Sequence, residues 1–225
     1  GLSPKRINGR RISNAEDIKV IKKTLVGDLG FKITEHLVKK DIDAGIFNAL
    51  PPHWATAKRR PKKDGIMRFD GVLNYVDPKK IRHYFSLHNL AVCPCLAFNK
   101  DGTALNINAD NVAIALAEKT KANKLILLTD IDGVIINKKV VSVLTTIEIE
   151  TLIEDKIVTG GMQVKLENCV EALRCGVKRV HILNGLKKDR LRNEVYTSDG
   201  TGNMIVRDKE KKLYDKERKK EGAPS

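Results

Sequence analysis

The sequence predicts an α/β protein: a three-layer α/β/α sandwich on an open, mostly parallel sheet, with a β-hairpin beside it. Two observations carry that expectation. Stretches with apolar residues at helical spacing alternate along the chain with short apolar runs, the order from which sheets covered on both faces are built. One run, Leu125-Ile126-Leu127-Leu128, is continuous, as in a strand buried on both faces, and stops abruptly at Thr129-Asp130-Ile131-Asp132-Gly133. Open parallel sheets hold ligands at the carboxyl ends of their strands, so those polar residues are candidates for chemistry.

Each element has a local reason. Ser13 and Glu16 have capping-box spacing, and Ile18, Ile21 and Leu25 then share one face of a helix that should end near Gly27. A second helix is expected over 33–39 and a short strand over 44–47. A loop with Pro51, Pro52 and Pro61 follows, carrying the basic run Lys58-Arg59-Arg60-Pro61-Lys62-Lys63. Residues 69–76 alternate like a half-exposed strand or hairpin arm. Asp77-Pro78 opens a helix, 90–98 is a strand, and Asn99-Lys100-Asp101-Gly102 is a turn. Asn106, Asn108 and Asp110 then precede Val112, Ala113, Leu116 and Ala117 at helical spacing, and Asn or Asp there can cap the helix.

Beyond Gly133, residues 134–136 and 140–144 read as short strands and 146–154 as a short helix. Thr159-Gly160-Gly161-Met162 leads into another helix, where glycines let the backbone approach a ligand and the N-terminus attracts anions. Lys165 is placed in the first turn, where the macrodipole disfavours a cation unless a bound phosphate offsets it. Plainer readings stay open: a helix cap with a loop acid at 106–110, and a glycine turn with a solvated lysine at 160–165. A buried strand over 178–183 carries His181 in the core or at a sheet edge, and a glycine turn over 197–202 precedes a last strand over 203–206.

Composition narrows the function. The chain of 225 residues suffices for one α/β domain with a sizeable core, or two small lobes. Its 41% hydrophobic and 31% charged residues suit a soluble globular protein, without a membrane span or signal-peptide pattern; a cytoplasmic location is expected, with an organelle as the alternative. It begins with Gly rather than Met, as a fragment or a processed product would. Cys93, Cys95, Cys169 and Cys175 lack zinc-ligand spacing and read as thiols of a reducing compartment, so no protein-held metal is expected. The net charge of +14 comes partly from the basic loop and partly from a mixed-charge tail over 207–225, expected to be helical or disordered. Aromatics at 4% give no stacking platform, so the positive field suits small anions rather than nucleic acid. The GxGxxG, GxxxxGK[ST] and GxSxG patterns and the kinase catalytic loop are all missing. The residues alone indicate an α/β protein handling a small anion.

Several stretches together resemble a known family. NINAD, LTDIDGV, GGMQVK, GVKRVHILNG and EVYTSDGTGNMI occur in the order and spacing of the amino acid kinase family, and within it of its acetylglutamate kinase branch. Upstream, NGRRISNAED is similar to the NGLRVTD substrate segment, and FDGVLNYVDP to FVGEVxxVDP. The resemblance covers about 4–206 and implies one kinase domain over 1–206, with 1–98 the acyl-substrate part and 99–206 the nucleotide part. It implies ATP-dependent phosphorylation of the γ-carboxylate of N-acetyl-L-glutamate, a step of arginine biosynthesis, with Mg²⁺ held through the nucleotide phosphates. A homo-oligomer is also implied. Arg11 resembles the arginine that holds the substrate α-carboxylate, and Asn106 the asparagine that contacts the same substrate. Asp110 resembles the acid that organises the catalytic lysines, and Lys165 the lysine that reaches the transferring phosphoryl group. Thr129, Asp130 and Gly133 on one side, and Thr159, Gly160, Gly161 and Met162 on the other, are the implied nucleotide contacts.

The departures define the alternatives. The family's opening KxGG strand and second glycine pair have no counterpart here, because the resemblance starts beyond them; an N-terminally truncated chain lacks one catalytic lysine. GIFNALPPHW stands at a GxSGxDG-like turn, Arg68 replaces a glycine, and Asn203 replaces a threonine. A regulatory or inactive amino-acid-binding domain, or another member of the family, are the other readings.

Overall fold

In a computed structural model of the protein the described residues are 6–7, 10–47, 54–62, 67–136, 139–197 and 201–212, with 6–7 and 10–11 described in backbone only. The expectations for 48–53 and 63–66 in and around the basic loop, 198–200 of the glycine turn, and the tail beyond 212 lie outside them. The chain divides into two compact units, Gly1–Thr120 and Lys121–Ser225. No described helix is long and apolar enough to cross a membrane.

The first unit opens with a hairpin, β1 (Arg6–Ile7) against β2 (Arg10–Arg11). Helix α1 (Ala15–Ile21) follows, with a capping box one residue later than expected. Asn14 caps it, its Oδ1 accepting from Asp17 N at 2.9 Å while Asp17 Oδ2 accepts from Asn14 N at 2.9 Å. Ser13 cannot serve because it is fully buried, its Oγ accepting from Asn106 Nδ2 at 3.0 Å. Glu16 pairs instead with Lys19 at 2.8 Å.

The expected stop at Gly27 does not occur. A π-helical stretch, Lys22–Leu29, carries α1 into α2 (Gly30–Val38). Glycine ends a helix by adopting a left-handed conformation, but Gly30 stays right-handed at φ −57°. The left-handed residue is Asp41 at φ 58°; Asp41 N bonds Val38 O and Ile42 N bonds Leu37 O, closing the helix.

Strand β3 (Ala44–Ile46) leads on to β4 (Ala55–Arg59) and its antiparallel partner β5 (Gly71–Val76). Helix α3 (Pro78–Leu87) has Pro78 in its first turn and Asp77 as its cap, accepting from Lys79 N at 2.9 Å. The run over 90–98 is two strands, β6 (Leu90–Val92) and β7 (Leu96–Phe98). Pro94 lacks an N–H and breaks the ladder between them. Consequently β6 pairs parallel with β3, while β7 joins β8 (Ala104–Asn106) in a mixed sheet of order β5-β4-β7-β8. Helix α4 (Ala109–Thr120) closes the unit, and Trp54, Ile81, Leu105 and Val112 centre its main core.

The second unit is built on β9 (Lys124–Thr129). Leu125 and Leu127 are buried but Leu128 is 52% exposed, so this strand alternates rather than burying both faces. Strands β10 (Ile135–Ile136) and β11 (Lys139–Val140) form a hairpin, and β12 (Val143–Thr145) ends in the Thr145–Glu148 capping box of α5 (Thr146–Glu154). Helix α6 (Gly160–Arg174), buried strand β13 (Arg179–Asn184), α7 (Arg190–Tyr196) and β14 (Asn203–Val206) complete it. The order is β12-β14-β13-β9, parallel at β12/β14 and β13/β9 and antiparallel at β13/β14. The start of the charged tail is ordered: Arg207 donates to Leu173 O at 2.6 Å, and a helical turn over 208–212 holds α5 through Asp208 and Lys211. The architecture is α/β with mixed sheets.

Candidate functional site

In the first unit the polar residues gather where β8 meets α4. Asn106 ends β8, its N–H donating to Phe69 O at 2.8 Å and its Nδ2 to Ser13 Oγ at 3.0 Å. Phe69 N in turn donates to Ser13 O at 2.7 Å, so Asn106, Phe69 and Ser13 are locked together. Asn108 caps α4, Oδ1 accepting from Asn111 N at 3.0 Å. This leaves Asp110 half-buried in the first turn, where the helix macrodipole favours a carboxylate. Arg11 lies on β2 opposite Arg6; its side chain is outside the described residues.

In the second unit two candidate groups stand on separate elements. At the end of β9, Thr129 Oγ1 lies 3.2 Å from Asp130 Oδ1, and Thr129 O accepts from Gly185 N at 2.8 Å. Asp130 is exposed, whereas Asp132 pairs with Lys187 at 2.8 Å and accepts from Asn184 Nδ2 at 3.1 Å. The Lys187 hydrogen bond, then that of Asn184, holds the Asp132 carboxyl below its usual value. Gly133 is buried at φ 108°, and a Cβ there would collide with the Asn203 side chain. Asn203 itself, 1% exposed, accepts from Val134 N at 2.7 Å and donates to Val134 O at 3.3 Å and Val141 O at 2.5 Å.

The second group is the start of α6. Thr159 caps it in extended conformation with no side-chain capping bond, and Gly160 has φ 61°. A Cβ on Gly160 or Gly161 would meet nothing within 4 Å, so this helix end is open. Its first N–H groups have no intrahelical acceptors, which makes it suited to an anion. Thr159 is exposed and Met162 half-buried. Lys165 is the sixth residue of α6, half-buried and in the second turn rather than the first. The macrodipole penalty falls off within the first turn, so the lysine is tolerated here even without an anion.

The structure therefore places Asn106 and Asp110 on one turn of the first unit. Thr129, Asp130 and Gly133 share one strand end, and Thr159–Lys165 one helix start, in the second. Ser13 and Asn203 are partners that the sequence did not identify as such. Ser13 was masked by its capping-box spacing, while Asn203 offered only the oddity of an amide where the family has a hydroxyl.

The first 184 residues match the Amino acid kinase family model. Acetylglutamate kinase of Kosmotoga olearia is 34% identical over 209 residues, 91% of this chain and 72% of that protein. The Syntrophomonas wolfei enzyme of the same name is 32% identical over 222 residues, 92% and 73% of the two chains. Among solved structures, N-acetylglutamate synthase from Neisseria gonorrhoeae complexed with coenzyme A and N-acetyl-glutamate superposes with a TM-score of 0.82 at 24% identity. That likeness, one of fold, covers 92% of this chain but only 47% of the synthase. An isopentenyl phosphate kinase shares the fold more distantly, with a TM-score of 0.58 at 17% identity over 88% of this chain and 76% of that one. The sequence match, the α/β architecture and these neighbours agree: the chain belongs to the amino acid kinase family.

Proposed function

We propose that the protein carrying this chain uses ATP to phosphorylate the γ-carboxylate of N-acetyl-L-glutamate, giving an acyl phosphate for arginine biosynthesis. The observation that carries this reading is the 34% identity to a relative named acetylglutamate kinase over 91% of the chain. The polar set at the β8–α4 turn and the open start of α6 support it.

The chemistry asks little of the protein beyond position and charge. A carboxylate acceptor is already ionised near neutral pH, so no general base is required. Arg11 would hold the substrate α-carboxylate, and Asn106, fixed by Ser13 and Phe69, would orient the acceptor. The open N–H groups at Gly160 and Gly161 would take nucleotide phosphate oxygens, with Thr129, Asp130, Gly133, Thr159 and Met162 completing the nucleotide contacts. Lys165 would stabilise the transferring phosphoryl group in its loose transition state, and Asp110 would orient the lysine charges. Mg²⁺ would be held mainly by the nucleotide phosphates and water, as an ion that keeps several waters and does not need an all-protein cage. Bound that way, Mg²⁺ supplies charge neutralisation of the phosphates.

The test is trapping of the acyl phosphate with hydroxylamine in the presence of ATP and N-acetyl-L-glutamate. The hydroxamate should form only with both, and Lys165→Ala should lower kcat by about a hundredfold or more with little change in acceptor binding. A fall under about tenfold removes the transition-state role from Lys165. ATP binding without any acetylglutamate dependence would point to another acceptor. Acetylglutamate binding without turnover would make the domain a non-catalytic one.

A further inference from the structure

Three arginines and one carboxylate meet where β4 runs out beside β5 in the first unit. Asp70, 6% exposed, accepts from Arg68 Nε at 2.9 Å and again from its Nη2, and Arg60 Nε lies 3.6 Å from the same carboxylate. The hydrogen bonds that Arg68 donates to Asp70 hold its guanidinium above its usual pKa. Asp70 thus neutralises part of the charge of two of the three arginines.

Arg59 is placed differently. Its guanidinium carbon stands 4.8 Å from the centroid of the Phe69 ring, and its Nε is buried with no hydrogen-bond partner among the described residues. A buried N–H left unsatisfied costs free energy and calls for an explanation, such as a ligand that supplies the acceptor. A guanidinium over an aromatic face is held by the ring without using its N–H donors, which stay in its own plane and can match a carboxylate bidentately. Charge points the same way, since three arginines against one aspartate leave the cluster positive.

The position of Arg59 bears on the ligand class. Phe69, on which Arg59 rests, donates its N–H to Ser13 O at 2.7 Å and accepts from Asn106 N at 2.8 Å. Arg59 therefore lies over the ring of the residue whose backbone joins Ser13 to Asn106. We infer that Arg59 is a substrate-binding residue: its Nε–Nη edge takes one carboxylate of a dicarboxylate acceptor and sets the preference for two acidic groups. This rests on the acceptor reading given above for Asn106, and adds a guanidinium that supplements Arg11.

The test is calorimetric titration of the full chain, as parent, Arg59→Lys and Arg59→Met. The ligands are N-acetyl-L-glutamate, its α-amide, its γ-amide and glutarate. Melting curves establish that each variant is folded, and Arg59→Met, which keeps an apolar stem on Phe69, serves if Arg59→Lys does not fold. The expected result is at least about thirtyfold weaker N-acetyl-L-glutamate binding in the variants, because an ammonium cannot make the bidentate contact. One of the two amides should bind parent and variants equally, since it lacks the carboxylate that Arg59 takes. A packing role would weaken all four ligands alike, and that result overturns the inference. So does a change below about threefold for N-acetyl-L-glutamate, which leaves the acceptor reading intact. Glutarate binding that depends on Arg59, without N-acetyl-L-glutamate binding, keeps the inference and rejects that acceptor. Binding of none of the four rejects both.

Discussion

Replacing Asn203 by Ala tests whether one buried amide holds the turn after β9. The side chain is 1% exposed and bonds Val134 N at 2.7 Å and Val141 O at 2.5 Å. Val134 O would keep the N–H of Val141 at 3.0 Å, so two backbone groups lose the partner that Asn203 provides. At about 1–3 kcal/mol for each buried group left unsatisfied, with some relaxation of the β10–β11 hairpin, the loss should be about 2–4 kcal/mol. For a chain of this size that corresponds to a fall in Tm of about 5–15 °C, read by circular dichroism. Asn203→Thr should lose about half as much, because a hydroxyl can still accept from Val134 N and donate to one carbonyl. A fall below about 2 °C for the alanine variant would refute the reasoning, showing that water or strand movement replaces the amide.

Arg11→Lys should raise the KM for N-acetyl-L-glutamate about thirtyfold or more while the KM for ATP stays near its starting value, as loss of a bidentate carboxylate contact requires. Arg10→Lys is the control; a larger effect there would shift the assignment by one residue, and no effect from either would remove the acetylglutamate assignment. Glu194 gives a pH prediction. Burial works against its charge, but His181 Nδ1 at 2.7 Å and Thr201 N at 3.2 Å help hold its carboxyl below the ordinary value. A carboxylate depressed on folding stabilises above its unfolded pKa of about 4.3, and that stability is lost as pH falls through the lower folded value. Urea unfolding of Glu194→Gln against the parent should therefore show a deficit near neutrality that narrows below about pH 4; a deficit constant across that range would contradict the pairing. Burial, with the neighbouring Cys95, pushes the Cys93 thiol up to about 12, so iodoacetamide near pH 8 should alkylate it only after unfolding. Mass spectrometry of native and urea-treated protein decides this, and rapid native labelling would show the thiol to be accessible and ionised.

Much of the architecture was legible because it depends on neighbours in sequence. Asp77 ahead of Pro78 caps α3 and Asn108 caps α4 through contacts within a few residues, and the apolar run before Thr129 marks a strand by its composition. The candidate site was legible for a different reason: its motifs match a family in type and order, which names Asn106, Asp110 and Lys165 without saying what holds them. Composition and spacing alone reached only an α/β protein suited to a small anion.

What local rules could not supply was decided by partners far along the chain. Ser13 has the spacing of a cap, yet Asn106, 93 residues away, takes its hydroxyl, and the cap passes to Asn14. Gly27 has the composition of a helix stop, but a glycine may also stay right-handed, and the chain turns only at Asp41. The apolar run over 90–98 reads as one strand, whereas Pro94 sends β6 to β3 and β7 to β4 and β8. The buried amide of Asn203 reaches Val134 across 69 positions, and the Arg59 guanidinium meets Phe69 only because β4 and β5 pair. Caps, turns and periodicity are set by interactions a few residues apart and can be read in order. The partner of a buried polar group depends on which strands are brought together, and only the folded chain determines that.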